Sequence, residues 1–356
     1  MRKLASVQKI DNIEPIIGAD NIELATILGW KVIIKKDEFK VNDLCVYIEI
    51  DSILPEKPEF EFLRSKRFRI KTFKLSKFGV ISQGIAFPLT ILPEKIYKID
   101  EDVTKLIGVE KYDPESKLEK TLLTSKKNPI IKHLLRYKWF RKIYNRYQRK
   151  STFPSWIPKT DETKLQSNPS FLNNKNIFYI SEKIDGQSGT FAVKFKSIFR
   201  KPIYYICSRN VHLTGKSKDN NYWKVFEKLN LRDKLKKFNR NIVIQGEIVG
   251  PKIQDNKYKL NGLDFYCFSI YDIDKKRYVD YSEFIELCFD FQIKHVPILN
   301  DNFTLSDSVD KMIELSIGNS ALRKESLREG IVLREKLNSH ISFKVINPEF
   351  LLKHKL

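Results

Sequence analysis

Short apolar stretches separated by polar turns open the chain. Trp30–Lys35 (WKVIIK) and Leu44–Ile50 (LCVYIEI) are β-branched and apolar, with polar turn residues at Asp37 and Asn42 between them. Arg69–Leu75 alternates as a strand, and Gly79, Gly84 and Pro88 punctuate a further pair of extended segments. Short strands at this density predict an OB-like β-barrel over residues 1–110.

The period then changes. Ile131, Leu135, Trp139, Ile143 and Tyr147 recur every four residues, which predicts one face of a helix within a linker over residues 111–152. Phe153-Pro154 and Pro158 mark its end. Beyond them, strands are predicted at residues 177–180, 189–195, 203–207, 242–247, 263–271, 330–334 and 341–345, with a helical stretch over Tyr222–Lys236. The expectation is a multidomain chain: the OB-like barrel, the linker, and a C-terminal α+β domain with mainly antiparallel sheets over residues 153–356.

A chain of 356 residues suits two ordinary domains, and 42% hydrophobic residues supply a core, which excludes wholesale disorder. The balance of 65 basic against 44 acidic side chains leaves +21. Such a charge favours polyanions, nucleic acid first and an anionic membrane second. Ser116–Lys150 concentrates it, with 12 Lys or Arg and one acid, Glu119. Arg141, Lys142, Arg146 and Arg149 are the candidate RNA-phosphate contacts in this segment; a solvated connector helix reads equally well. No run approaches 18 apolar residues, and Met1-Arg2-Lys3-Leu4 with Gln8, Lys9 and Asp11 lacks a signal-peptide pattern. Four cysteines form no CxxC pair, so reduced thiols in a core are expected. These features predict an intracellular, cytoplasmic protein without a membrane partner or an evident obligate protein partner. The five histidines show no metal-binding spacing.

The sharpest chemical signal is Ser181-Glu182-Lys183-Ile184-Asp185-Gly186, between two predicted strands. A nucleophilic lysine must shed its proton, and neighbouring cations or metal ions lower its pKa. Asp185, two residues along, points to the same side as Lys183 and is a candidate metal ligand. Alone, K-x-D-G is weak in so lysine-rich a chain. Company strengthens it: Gly246-Glu247 at a strand end, the aromatic strand Leu263–Asp274, Glu329-Gly330 before an apolar strand ending in Arg334, and Lys344 within a strand. Each fragment alone reads as a charge at a strand end or on a solvated face; the order is less ordinary.

That order resembles the covalent nucleotidyltransferase superfamily of ATP-dependent ligases and RNA capping enzymes. Lys183, Asp185 and Gly186 match its nucleophile motif, Ser208-Arg209-Asn210 the next, Gly246 and Glu247 the third, Glu329 and Gly330 the fourth, and Lys344 the fifth. Arg69-Ile70-Lys71, Ile81-Ser82-Gln83-Gly84 and Pro158–Gln166 further resemble the nick-sealing RNA ligases with an N-terminal OB domain, often counted as the fifth RNA ligase family. Relatives commonly carry two lysines in the last motif; here Ser342 occupies the earlier place.

The resemblance implies ATP-dependent joining of an RNA 3′-hydroxyl to a 5′-phosphate, at nicks in duplex, through lysyl-AMP on Lys183 and an RNA-adenylate. It implies ATP and Mg²⁺ (or Mn²⁺) as cofactors. Asp185, Glu247 and Glu329 would hold metal; Glu182, Arg209, Glu247, Phe268, Glu329 and Lys344 would contact the nucleotide. Phe268 would stack on adenine, with Phe265 as the fallback. Two other readings stay open: a GTP-dependent capping guanylyltransferase, and a catalytically silent RNA-binding protein.

Overall fold

Strands form in the N-terminal part because their side chains divide between two faces. In β4 (Trp30–Lys35), Trp30, Val32 and Ile34 are buried while Lys31, Ile33 and Lys35 are not. The computed structural model describes residues 3–112, 133–134, 136–140, 152–196, 201–213 and 220–356. Arg141, Lys142, Arg146 and Arg149 lie outside the described residues, as does most of the helix expected around them; Trp139, which is described, is exposed.

The N-terminal strands are β1 (Ala5–Lys9), β2 (Asn12–Pro15), β3 (Ile22–Ile27), β4, β5 (Leu44–Ile48), β6 (Ser52–Ile53), β7 (Phe73–Leu75), β8 (Val80–Ser82), β9 (Ile85–Pro88) and β10 (Glu110–Lys111). They group into four small sheets, in the orders β1-β5-β9, β2-β3-β4, β7-β8 and β10-β6. Only Phe73–Leu75 of the expected strand Arg69–Leu75 is a strand, paired with β8. Arg69 instead makes an isolated bridge to Ile53.

The C-terminal part holds two five-stranded sheets. Its strands are β11 (Thr163–Lys164), β12 (Ile177–Lys183), β13 (Gln187–Lys196), β14 (Lys201–Cys207), β15 (Ile242–Val249), β16 (Asp264–Asp272), β17 (Arg277–Tyr278), β18 (Ile298–Thr304), β19 (Gly330–Glu335) and β20 (Ser342–Ile346). One sheet runs β11-β20-β19-β12-β18, the other β14-β13-β15-β16-β17. All pairings in them are antiparallel except β11 with β20. The helical stretch Tyr222–Lys236 is two helices, Asn221–Lys228 and Leu231–Lys237. Asn230, at φ +50°, breaks the hydrogen-bond ladder between them, a left-handed conformation that asparagine tolerates.

The two parts are fastened together. The helix Pro348–His354 follows β20, and its Phe350 and Leu351, with Ile346, complete the N-terminal hydrophobic core. Lys164 of β11 donates to Asp51 at 3.3 Å, and the Gly29 amide donates to the Gln166 carbonyl at 2.9 Å. A boundary drawn at residue 153 is thus crossed by the chain's last helix. All four cysteines are buried and unpaired, as expected of core thiols. Among the described residues, no helix is long and apolar enough to cross a membrane.

Candidate active site

Register places the lysine. β12 pairs with β19 so that Lys183 stands opposite Gly330, and β19 pairs with β20 so that Val332 stands opposite Lys344. Ser181, Val332 and Lys344 therefore form one row across three strands, on the face that carries Lys183. Glu329, one residue before β19, reaches the lysine: Lys183 Nζ lies 2.6 Å from Glu329 Oε2. Gly330 lets β19 lie close against β20, since a Cβ there would sit 2.2 Å from the Val345 carbonyl oxygen.

The second sheet supplies the opposite wall. A pocket between the sheets is lined by Ser181, Glu182, Lys183, Val332, Arg334 and Lys344 from the first, and by Ser188, Glu247 and Phe268 from the second. Arg209, just after β14, closes one side. An adjoining chamber shares Asp161 and Arg209 and adds Lys111, Lys159 and Asn210. Phe268 lines the pocket, with the Arg334 guanidinium 5.4 Å from its ring centre. Phe265 does not: it is buried in the core against Phe191, because the two side chains stand on opposite sides of the bulged strand β16.

Lys183 keeps its proton in this setting. Burial opposes the ammonium, but the Glu329, Glu247 and Asp185 carboxylates overcome it and raise the lysine's pKa. Asp185 itself pairs with Lys257, and its amide nitrogen is 2.7 Å from the Tyr258 hydroxyl. Neither Asp185 nor Glu329 lines the pocket itself; Glu329 meets it through its contact with Lys183. Glu182 is 1% exposed and its Oε2 accepts from the Ala321 amide at 2.7 Å; burial raises the carboxyl's pKa, against hydrogen bonds from Ser320 and the Ala321 amide.

Several residues to which the sequence assigned no role belong to the same site. Asp161 gathers three cations: Arg209 at 3.2 Å, Lys111 at 3.3 Å and Lys344 at 3.4 Å. A carboxylate thus sits where the same cations could grip a phosphate. Glu162 accepts from Arg334 at 2.6 Å. Burial favours the neutral Glu162 acid, but Arg334 and then Lys344 outweigh it and hold the carboxyl below its ordinary value. Arg334 pairs in register with Ser342, so a buried cation stands beside the serine that departs from the two-lysine pattern. Asp161 and Glu162 lie just before β11, in the stretch Pro158–Gln166 that the resemblance marked; the parallel pairing of β11 with β20, which brings them to the site, no local pattern announces.

Among the described residues, no three or more His, Cys, Asp or Glu are grouped as a ready cage for a metal ion. Mg²⁺ and Mn²⁺ do not need one: Mg²⁺ keeps several waters and binds through one or two carboxylates plus substrate phosphates. Glu329 and Glu247, close enough to hold the proton on Lys183, fit such an ion.

A family model for an OB-fold domain matches residues 4–89, and a model for RNA ligases matches residues 176–346. No curated protein sequence matches the chain significantly. Solved structures of a Naegleria gruberi RNA ligase do. A mutant of it with ATP and Mn is 33% identical over 100% of both chains, at a TM-score of 0.84. Another mutant, with AMP and Mn, is 33% identical over 99% of both chains, at 0.83. The same ligase with PPi is 33% identical over 100% of this chain and 99% of that one, at 0.82. The shared fold and identity extend over both domains, and the chain belongs to the RNA ligases that carry an OB-fold domain ahead of the ligase domain.

Proposed function

We propose that the protein joins an RNA 3′-hydroxyl to a 5′-phosphate at nicks in duplex, using ATP and Mg²⁺ or Mn²⁺, through lysyl-AMP and RNA-adenylate intermediates. The observation that carries this reading is Lys183, held 2.6 Å from Glu329 inside a pocket that also presents Lys344, Arg209 and Phe268. The amine must lose its proton before it attacks the α-phosphorus and expels pyrophosphate, and Glu329 Oε2 is the acceptor in reach. Lys344 and Arg209 face the charge that develops on the phosphate oxygens. Phe268 offers its ring to the base. A divalent ion held by Glu247 would balance the phosphate charge and, near Lys183, would favour the neutral amine whose proton Glu329 takes.

Glu182, buried in the pocket that Phe268 also lines, is a candidate contact to the base. The basic segment with Arg141, Lys142, Arg146 and Arg149 would add contacts to duplex phosphates.

Incubation with α-labelled ATP and Mg²⁺, followed by a denaturing gel, tests the reading. The wild-type protein should take label from ATP and not GTP, and Lys183→Ala should take none. Glu247→Ala and Glu329→Ala should each lower ligation at least about tenfold, since each removes charge from a phosphoryl-transfer site. Equal labelling of Lys183→Ala, or labelling by GTP alone, would sink it.

A further inference from the structure

The 3₁₀ segment Pro58–Lys66 ends in two consecutive left-handed residues, Arg67 at φ +53° and Phe68 at φ +55°. That turn sends Phe68 into the core and leaves Lys66 and Arg67 exposed. The chain continues through Arg69, Lys71 and Phe73 along one wall of a groove of about 780 Å³. The other wall is Tyr112 with Leu352 and Lys355 from the C-terminal helix region. Five cations line this groove, Lys66, Arg67, Arg69, Lys71 and Lys355, and no acid does.

Arg69 is only 9% exposed. Its guanidinium lies 3.5 Å from the centre of the Tyr112 ring, and Nη2 is 3.6 Å from Asp51. Its Nε is buried without a hydrogen-bond partner, a donor left unsatisfied inside a cationic groove. Lys71 donates to the Lys355 carbonyl at 2.7 Å. Burial, then the nearby charges of Arg69 and Lys355, lower its pKa although Asp51 opposes them. Crowded cations of this kind are relieved by an anion. Phe73 is 37% exposed at the rim, with the Lys66 ammonium 5.2 Å from its ring centre.

A groove lined by five cations and no acid, beside an exposed ring, is what a nucleic-acid strand engages, phosphates on the cations and a base on the ring. We propose that this groove binds a segment of the RNA substrate, with phosphates on Lys66, Arg67 and Lys71, Arg69 as the buried anchor, and a base against Phe73. The proposal rests on the RNA ligase reading and adds to it a second RNA-gripping surface, away from the pocket. The two places are mechanically linked: Asp51 holds Arg69 on one side and Lys164 at 3.3 Å on the other, and Lys164 pairs in register with Lys344.

The test uses the full-length protein, AMP labelling, and binding to a nicked RNA duplex at several salt concentrations. The triple variant Lys66→Gln, Arg67→Gln, Lys71→Gln should keep labelling within about twofold, bind RNA more weakly, and lower the log–log salt slope by about two to three. Phe73→Ala should weaken binding about fivefold or more with little change in slope. The charge-preserving triple Lys66→Arg, Arg67→Lys, Lys71→Arg should recover binding. Wild-type affinity and slope in the glutamine triple would overturn the groove. So would a charge-preserving triple that labels normally yet binds as poorly. A wild-type protein that takes no label from ATP would instead overturn the ligase reading itself.

Discussion

Glu162 and Arg334 are an ion pair beside the nucleophile, the guanidinium buried and the carboxyl largely so, and their value shows in the pH dependence of stability. A carboxyl held below its unfolded value, near 4.3, stabilises the fold above that pH; the contribution fades as pH falls through the folded value. The wild-type Tm should therefore fall as pH drops below about 4. Glu162→Gln leaves the Arg334 charge without its partner, which costs about 3–5 kcal/mol for a buried pair. Its Tm should be lower at pH 7 and depend less on pH on the acid side. Thermal melts from pH 3 to 7 check both, and an unchanged Tm at pH 7 would mean that Arg334 finds another acceptor.

At the scale of elements, the β12–β19–β20 ladder is what brings Lys183, Glu329 and Lys344 together. Gly330 is its tightest point. A Cβ there meets the Val345 carbonyl at 2.2 Å and the Ile346 Cα at 3.0 Å, and the residue's φ is +156°. Gly330→Ala must push β19 away from β20, displacing Glu329 and Lys344 relative to the lysine. A displacement near 1 Å in such a site costs a factor of ten to a hundred in rate. AMP labelling should fall at least about tenfold and Tm should drop, while far-UV circular dichroism stays near wild type. Wild-type labelling with wild-type Tm would show that the ladder has slack the register does not suggest.

Across the whole molecule, the OB-fold domain and the ligase domain share a core. Ile346, Phe350 and Leu351 are buried with the N-terminal strands, and each large apolar side chain stripped of that cover forfeits about 1.5–3 kcal/mol. Removing residues 1–110 should therefore leave a chain that aggregates or loses fixed tertiary packing, seen as a lost near-UV circular dichroism signal and lost labelling. A soluble, cooperatively melting fragment that labels at the full rate would show that the C-terminal helix can repack on its own domain.

The sequence by itself determined the parts that are local. β-branched apolar runs marked β4 and β5, apolar runs marked β15, β16 and β19, and Lys183, Glu247, Glu329 and Lys344 stood out by residue type and order along those strands. Burial and residue identity repeat over a few positions, so they can be read along the chain. What only the tertiary structure decided is which distant residues meet. The choice between Phe268 and Phe265 turned on which face of a bulged strand met the pocket. Asp161 collects Lys111, Arg209 and Lys344 only because β11 lies beside β20. Arg69, Tyr112 and Lys355 share a groove only because the last helix crosses back to the first domain. Such contacts arise from strand pairing and shared burial between segments far apart in the chain, and no spacing along it encodes them.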